Sequence, residues 1–211
     1  MNSQTSKNLL TVGWDTVIRH TVRAFERAES IRWIVVVCSE DQLDEMTRQC
    51  DGFSKVCRIV VGGESRTESA RRGFEAIPKE SDLVAIHDGA RCLIAPEIIN
   101  LVVGEAEIYG AATAGTVAVD TVKYTEDGMS QRSVPRESLF LAHTPQVFYR
   151  DLYAEALSAT HDLSAFTDDN SLVENIGKRV KCVDTGRLNI KLTTPEDLLF
   201  AEFILNKRGG K

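Results

Sequence analysis

The stretch Val56-Cys57-Arg58-Ile59-Val60-Val61-Gly62-Gly63-Glu64-Ser65-Arg66-Thr67-Glu68-Ser69-Ala70 decides the fold. Val56 to Val61 is a short β-branched run, the signature of a strand. Two glycines end it, and a helix over Thr67 to Ile77 follows, with Ser65 or Thr67 placed to cap it. Strand, glycine turn and helix in immediate succession is half of a βαβ unit. Upstream, Arg32-Trp33-Ile34-Val35-Val36-Val37-Cys38 is another continuous apolar run, as found in strands buried on both faces of a parallel sheet. Before it, Trp14, Val17, Ile18, Val22 and Phe25 recur at helical spacing, with Arg19, Arg23 and Glu26 opposite. After it, Ser39 opens a polar helix over Glu40 to Gln49.

Downstream the alternation continues: a strand over Leu83 to His87, a helix over Pro96 to Tyr109 stopped by Gly110, and a strand over Ala111 to Val119. Strands alternating with helices at this spacing predict a doubly wound, mostly parallel α/β sheet of Rossmann type. The pattern breaks between Asp120 and Pro135, where a Glu126-Asp127-Gly128 turn sits inside a polar hairpin, read as a projecting β-arm. The chain then returns through Leu139-Phe140 and Gln146-Val147-Phe148, with helices over Asp151 to Ala159 and Asp168 to Ile176. Strands over Val180 to Val183 and Ile190 to Leu192 precede a last helix opened by Thr194-Pro195-Glu196-Asp197. No repeat or linker divides the sequence, so residues 1–211 are expected to form one domain.

Composition sets outer limits. With 211 residues and 43% apolar content there is material for a core, and no run approaches the eighteen or so apolar residues of a membrane span. The balance of 25 basic against 31 acidic residues argues against nucleic acid as partner, so an anion site has to be built from particular side chains. Cys38, Cys50, Cys57, Cys92 and Cys182 are odd in number and form no CxxC pair, and no signal peptide precedes them. They read as apolar fillers in a reduced, cytoplasmic setting. His20, His87, His143 and His161 show no metal-ligand spacing, and His20 and Cys50 read as packing residues.

Two segments carry the strongest chemical signals. In Gly62-Gly63-Glu64-Ser65-Arg66-Thr67-Glu68-Ser69, glycines permit close backbone approach and a helix start attracts anions, although an ordinary glycine turn would look the same. In Ile86-His87-Asp88-Gly89-Ala90-Arg91, a strand ends in a carboxylate and an arginine, suited to a metal or hydroxyl and to a phosphate, or simply to each other. Open α/β sheets gather ligands beyond the carboxyl ends of their strands, where both segments lie. Lys191 is unusual for a residue in a short apolar strand, since a buried ammonium needs an anion; an edge-strand position is the alternative.

Taken in order, seven motifs make the chain recognisable: Lys7 with Leu10-Thr11-Val12-Gly13, Gly62 to Ser69, His87 to Arg91, Asp120-Thr121-Val122-Lys123, Arg136 with Thr144-Pro145-Gln146, Thr167-Asp168-Asp169, and Asn189-Ile190-Lys191. From Met1 to about Asn206 the sequence resembles the 2-C-methyl-D-erythritol 4-phosphate cytidylyltransferase family. The resemblance implies transfer of CMP from CTP to a methylerythritol phosphate, with Mg²⁺ required and pyrophosphate released. It implies that Lys7, Arg136 and Lys191 serve catalysis, Lys7 on the transition-state charge and the other two on the acceptor phosphate. It puts Gly62, Gly63, Arg66, Ser69, Asp88, Ala90 and Arg91 around the cytidine and its metal-bound phosphates, with Asp88 the metal ligand. Asp88, Arg91, Thr121 and Thr167 then contact substrate. The arm over residues 120–135 implies a homodimer in which Arg136 reaches the neighbouring site. A cytidylyltransferase for another polyol phosphate, such as ribitol 5-phosphate, shares most of these motifs, and a catalytically dead nucleotide-binding homologue is the reading from another class. Cys92 stands where the family carries proline. The family's opening strand and glycine-rich loop fall before the position matched by Met1, and the expectation is that catalysis needs them.

Overall fold

The computed structural model describes residues 6–160 and 162–209, so the expectations attached to Met1 and His161 lie outside the described residues. The chain opens with a small hairpin, β1 (Thr11–Val12) and β2 (Asp15–Thr16), followed by α1 (Val17–Arg27) and β3 (Ile34–Cys38). Then come α2 (Leu43–Cys50), β4 (Val56–Val61), α3 (Arg66–Ala76), β5 (Leu83–Ile86), α4 (Pro96–Tyr109) and β6 (Ala111–Val117). A hairpin of β7 (Val122–Glu126) and β8 (Met129–Val134) follows, then β9 (Phe140–Tyr149), α5 (Arg150–Ser158), α6 (Asp169–Asn175), β10 (Lys181–Asp184) and α7 (Pro195–Gly209).

Strand directions give the predicted doubly wound α/β architecture. β3 and β4 are parallel, β10 and β6 are parallel, and β9 runs antiparallel between β6 and β5. β5 and β6 therefore point the same way. Arg66, just beyond β4, bonds Asp88, just beyond β5, so the carboxyl ends of β4 and β5 lie on one side. In the four-stranded sheet β9 is the strand that runs against the other three. On one face, Ala24 and Phe25 of α1 and Ile99, Val102, Val103 and Ala106 of α4 pack on Ala112, Ala114 and Val147. On the other, Phe74 of α3, Tyr153 and Ala156 of α5 and Leu172 and Val173 of α6 pack on Val84, Ala111 and Phe148.

The strands form two pieces, β3-β4 and β10-β6-β9-β5. Ile34 to Cys38 and Leu83 to Ile86 both line a cavity of about 800 Å³ between the pieces, whose apolar walls come from Val22, Phe25, Val103 and Phe74. Among the described residues no strand pairs with that edge of β3 or of β5.

Four sequence expectations change. Trp14 is not in the buried stripe of α1: it lies in the β1–β2 turn, 54% exposed, with the Arg23 guanidinium over its ring. Ile190 to Leu192 is not a strand; Leu192 N–H makes a loop bond to the Ala90 carbonyl, and the Leu192 side chain is buried near Leu205 and Val12. Lys191 is accordingly on a loop. Cys57 and Cys182 are exposed, leaving Cys38, Cys50 and Cys92 as the buried fillers. β9 is one strand of 10 residues rather than two fragments, because Pro145 and its polar neighbours hide its pattern. The arm is a hairpin as expected: Asp127 (φ 49°) and Gly128 (φ 77°) both take positive φ at its two-residue turn. His20 is buried and bonded to the Val12 carbonyl, as a packing residue should be.

Candidate functional site

The βα turn after β4 is built from close contacts. A Cβ on Gly62 would stand 2.6 Å from Ser69 Oγ, and one on Gly63 would strike the Glu68 side chain. At Gly62 a Cβ would also press on Val37 Cγ1 at 3.1 Å, so space favours glycine there, whereas at Gly63 the Glu68 side chain could swing aside. Ser69 Oγ receives the Gly63 N–H at 3.0 Å and donates to the Ser65 carbonyl at 2.9 Å, so Ser69 braces the turn. Ser65 Oγ accepts the Glu68 N–H at 3.0 Å and caps α3. The first residue of that helix is Arg66, which is thereby aimed across the sheet toward β5.

Asp88 lies just beyond β5 and is the hub of the site. Arg66 Nε lies 3.3 Å from Oδ1, while Arg91 Nε and Lys191 Nζ each lie 3.2 Å from Oδ2. Burial pushes the Asp88 carboxyl up, but Lys191, Arg66 and Arg91 outweigh it and hold the group below the ordinary carboxylate range. It stays anionic at neutral pH. Arg66 also binds the fully buried Asp169 through Nη1, at 2.6 Å.

Three parts of the chain, the loop after β5, Thr144 of β9 and the loop from Asn189 to Leu192, are tied together beneath this cluster. Thr144 Oγ1 accepts the Asp88 N–H at 2.9 Å and contacts His87 Nδ1 at 3.1 Å. Arg91 Nη1 donates to the Asn189 carbonyl at 2.8 Å, Asn189 Nδ2 to the Thr144 carbonyl at 2.7 Å, and Leu192 N–H to the Ala90 carbonyl at 2.9 Å. The backbone around Lys191 is thus fixed to the loop carrying Asp88. Lys7 Nζ donates to the Thr193 carbonyl at 3.3 Å, bringing a further cation to the same segment. The result is a cationic patch at the carboxyl ends of the strands in a protein of net charge -6, an arrangement that selects an anionic ligand.

Of the residues singled out from sequence, Gly62, Gly63, Arg66, Ser69, Asp88, Ala90, Arg91 and Lys191 converge, and Lys7 joins through Thr193. Arg136, Thr121 and Thr167 do not join within this chain. Arg136 is exposed at the foot of the arm, with Nη1 on the Val119 carbonyl at 2.9 Å. Thr121 is exposed on the arm and Thr167 is exposed before α6. Tyr153 was not legible as a site residue: it occupies an ordinary core position of an amphipathic helix, and its bond to Asp169 joins residues whose partner Arg66 lies far away in sequence. Among the described residues no three His, Cys, Asp or Glu side chains converge as a metal cage.

An open α/β sheet with cations, a glycine turn and a helix start at its carboxyl ends defines a binder of phosphorylated ligands. A family model described as 2-C-methyl-D-erythritol 4-phosphate cytidylyltransferase matches residues 1–207, and the chain belongs to that family. The protein of that description from Pelotomaculum thermopropionicum is 39% identical over 216 residues, covering 100% of this chain and 91% of the relative. Its counterpart from Syntrophotalea carbinolica is also 39% identical, over 217 residues, covering 99% and 92%. The crystal structure of 4-diphosphocytidyl-2C-methyl-D-erythritol synthase from Anaerococcus prevotii superimposes with a TM-score of 0.86 at 28% identity, covering 94% of this chain and 93% of that one. The Thermus thermophilus cytidylyltransferase structure gives 0.81 at 30% identity, covering 95% and 94%.

Proposed function

We propose that this protein transfers CMP from CTP to 2-C-methyl-D-erythritol 4-phosphate, releasing pyrophosphate, as a step of isoprenoid biosynthesis. The observation that carries this reading is the convergence of Arg66, Asp88, Arg91 and Lys191 beside the Gly62–Gly63 turn, in a chain of this family. A phosphate oxygen of the acceptor attacks the α-phosphorus of CTP, and the bond to the β-phosphate oxygen breaks in line. No covalent enzyme intermediate is needed, so positioning and charge stabilisation do the chemistry.

Arg66, with the turn of Gly62, Gly63 and Ser69, faces the nucleotide, and Ala90 and Arg91 close that side. Lys191 is held by Asp88 yet its side chain is 44% exposed, leaving ammonium protons for the acceptor phosphate. Lys7 meets the charge that builds on the transferring group. Thr121, Thr167 and Arg136 belong to acceptor binding, and Arg136 does so across a homodimer whose arm over residues 120–135 places it beside the partner's site. The exposure of Tyr124 (54%) and Met129 (68%) on that arm supports such an interface.

The residues present fit a Mg²⁺ ion that enters on the triphosphate rather than one caged by protein. Asp88, whose side chain is 14% exposed, is the carboxylate that would complete the shell of such an ion by exchanging an ion pair with Lys191 or an arginine, and the ion would neutralise phosphate charge. The experiment is pyrophosphate release by the purified protein with CTP, Mg²⁺ and methylerythritol phosphate, with ribitol 5-phosphate as the competing acceptor. Release that depends on methylerythritol phosphate is expected from a chain that carries the family's opening strand and glycine-rich loop. Lys7→Ala and Arg136→Ala are expected to lower turnover on the order of a hundredfold with CTP affinity nearly unchanged. No release by a chain carrying that loop overturns the reading, and a preference for ribitol 5-phosphate overturns the acceptor.

A further inference from the structure

Arg66 is gripped from two sides. Nε meets Asp88 and Nη1 meets Asp169, while Nη2 has no hydrogen-bond partner among the described residues and the side chain remains 33% exposed. Behind Asp169 lies a second layer. Its Oδ1 accepts the Tyr153 hydroxyl at 2.6 Å, and both residues are fully buried. The Tyr153 ring is itself locked, stacked on Phe148 with centroids 5.3 Å apart and edge-on to Phe74 at 5.2 Å. The Asp169 N–H donates to Gln146 Oε1 at 2.9 Å, and Gln146 Nε2 donates to Asp168 Oδ2 at 2.8 Å, so the start of α6 cannot shift independently of β9.

A carboxylate at this depth is costly, and apolar side chains of similar volume commonly stabilise a fold at least as well. Its geometry indicates what it is kept for. With Oδ1 taken by Tyr153, the plane of the Asp169 carboxylate is set and Oδ2 is directed at Arg66. Two acceptors on two different nitrogens then fix the planar guanidinium in rotation as well as in place. Nη2 is left for a ligand.

We propose that Asp169 and Tyr153 are positioning residues that set the Arg66 guanidinium for the triphosphate of CTP. The proposal rests on the nucleotide reading given above. Neither residue touches substrate; they act through Arg66. Tyr153→Phe removes one oxygen from the relay, and Asp169→Asn removes the charge while keeping the shape.

Tyr153→Phe is expected to raise the KM for CTP about fivefold, the effect of losing one buried hydrogen bond, with the KM for the acceptor and the thermal midpoint close to wild type. Asp169→Asn should raise the KM for CTP more than tenfold, and the double variant should be no worse than Asp169→Asn alone, because both changes break one relay. A purely structural role would lower the thermal midpoint and the active fraction with both KM values unchanged; that result overturns the proposal, as does an unchanged KM for CTP in Tyr153→Phe. Nitrogen-15 NMR of the Arg66 guanidinium reads the positioning without turnover. Hindered Nη rotation in wild type, lost in Tyr153→Phe, is expected, and identical spectra overturn the proposal even if Asp169→Asn fails to fold. Hindered rotation in a protein that binds no CTP overturns the nucleotide reading instead, and upholds the relay.

Discussion

His87 supports the site from below. Its Nε2 lies 3.3 Å from the Arg91 carbonyl, which can only accept, so Nε2 carries the proton and Nδ1 accepts from the Thr144 hydroxyl. Burial pushes the imidazole down to about 4 from 6.5, which keeps it neutral. Between those two values the unfolded chain binds a proton that the folded chain refuses. Stability is therefore fully present above pH 6.5 and is lost as the pH falls toward 4. Between pH 7 and 5 the loss from this residue should be about 2 kcal/mol. Burial shifts His20 and His143 the same way, so they add to the fall. Urea unfolding at both pH values checks it: His87→Asn should show a smaller pH-dependent fall than wild type, and an equal fall refutes the assignment. At this scale the sequence was informative where a residue type was out of place. Lys191 stood out as a lysine in what read as an apolar strand; the structure puts it on a loop instead, 44% exposed, with the Asp88 carboxylate at 3.2 Å. Tyr153 drew no such notice, because a tyrosine among Leu152, Ala156 and Leu157 satisfies the helix pattern without its hydroxyl.

Elements were legible where their ends are written in side-chain chemistry. α4 begins at Pro96 and stops before Gly110 (φ 88°), as read, and α6 begins after Asp168, whose carboxylate accepts the Ser171 N–H at 3.0 Å. The loop at Ile190 to Leu192 misled because two apolar residues flanking a lysine suit a strand and equally suit a segment that buries Leu192 against α7 while one N–H bonds Ala90. Periodicity over three residues cannot separate the two. α3 offers a direct test of the cap argument. Ser65→Ala removes the acceptor of the Glu68 N–H and should cost about 1 kcal/mol, whereas Ser65→Asp should restore it. Chemical denaturation of the three proteins decides this: Ser65→Ala as stable as wild type would show that the cap contributes nothing. Because Arg66 is the next residue, Ser65→Ala should also weaken CTP binding, and Ser65→Asp should not recover that second loss fully, since it sets a carboxylate beside the nucleotide.

At the scale of the whole molecule, the two pieces of sheet share no ladder among the described residues. α1 packs on both, with Phe25 and Ala24 toward β6 and Ile18 and Val22 toward β3. α3 packs closely on β3, where a Cβ on Gly73 would stand 2.8 Å from Val37 Cγ2. Arg66 then fastens the end of β4 to Asp88 and to Asp169. Among the described residues, helix packing and the Arg66 guanidinium are what link the two pieces. Sequence periodicity announced β3 and β5 as buried strands but carried no information about which strand lies beside which, so the cavity between them was invisible to it. The consequence is uneven stability. β6 is paired on both sides, by β9 and β10, and β9 by β6 and β5, so their amides should open only with global unfolding. The amides of β3 not donated to β4, and those of β5 not donated to β9, line the cavity instead and meet no strand among the described residues. Native-state hydrogen exchange should find these amides exchanging through local opening, orders of magnitude faster than those of β6 and β9 and with weak dependence on denaturant. Arg66→Ala should speed their exchange further, because it releases the clamp across the cavity mouth while leaving β6 untouched. Protection in β3 and β5 equal to that of β6 would overturn this account, and would mean that helix packing holds the cavity edges as firmly as strand pairing does.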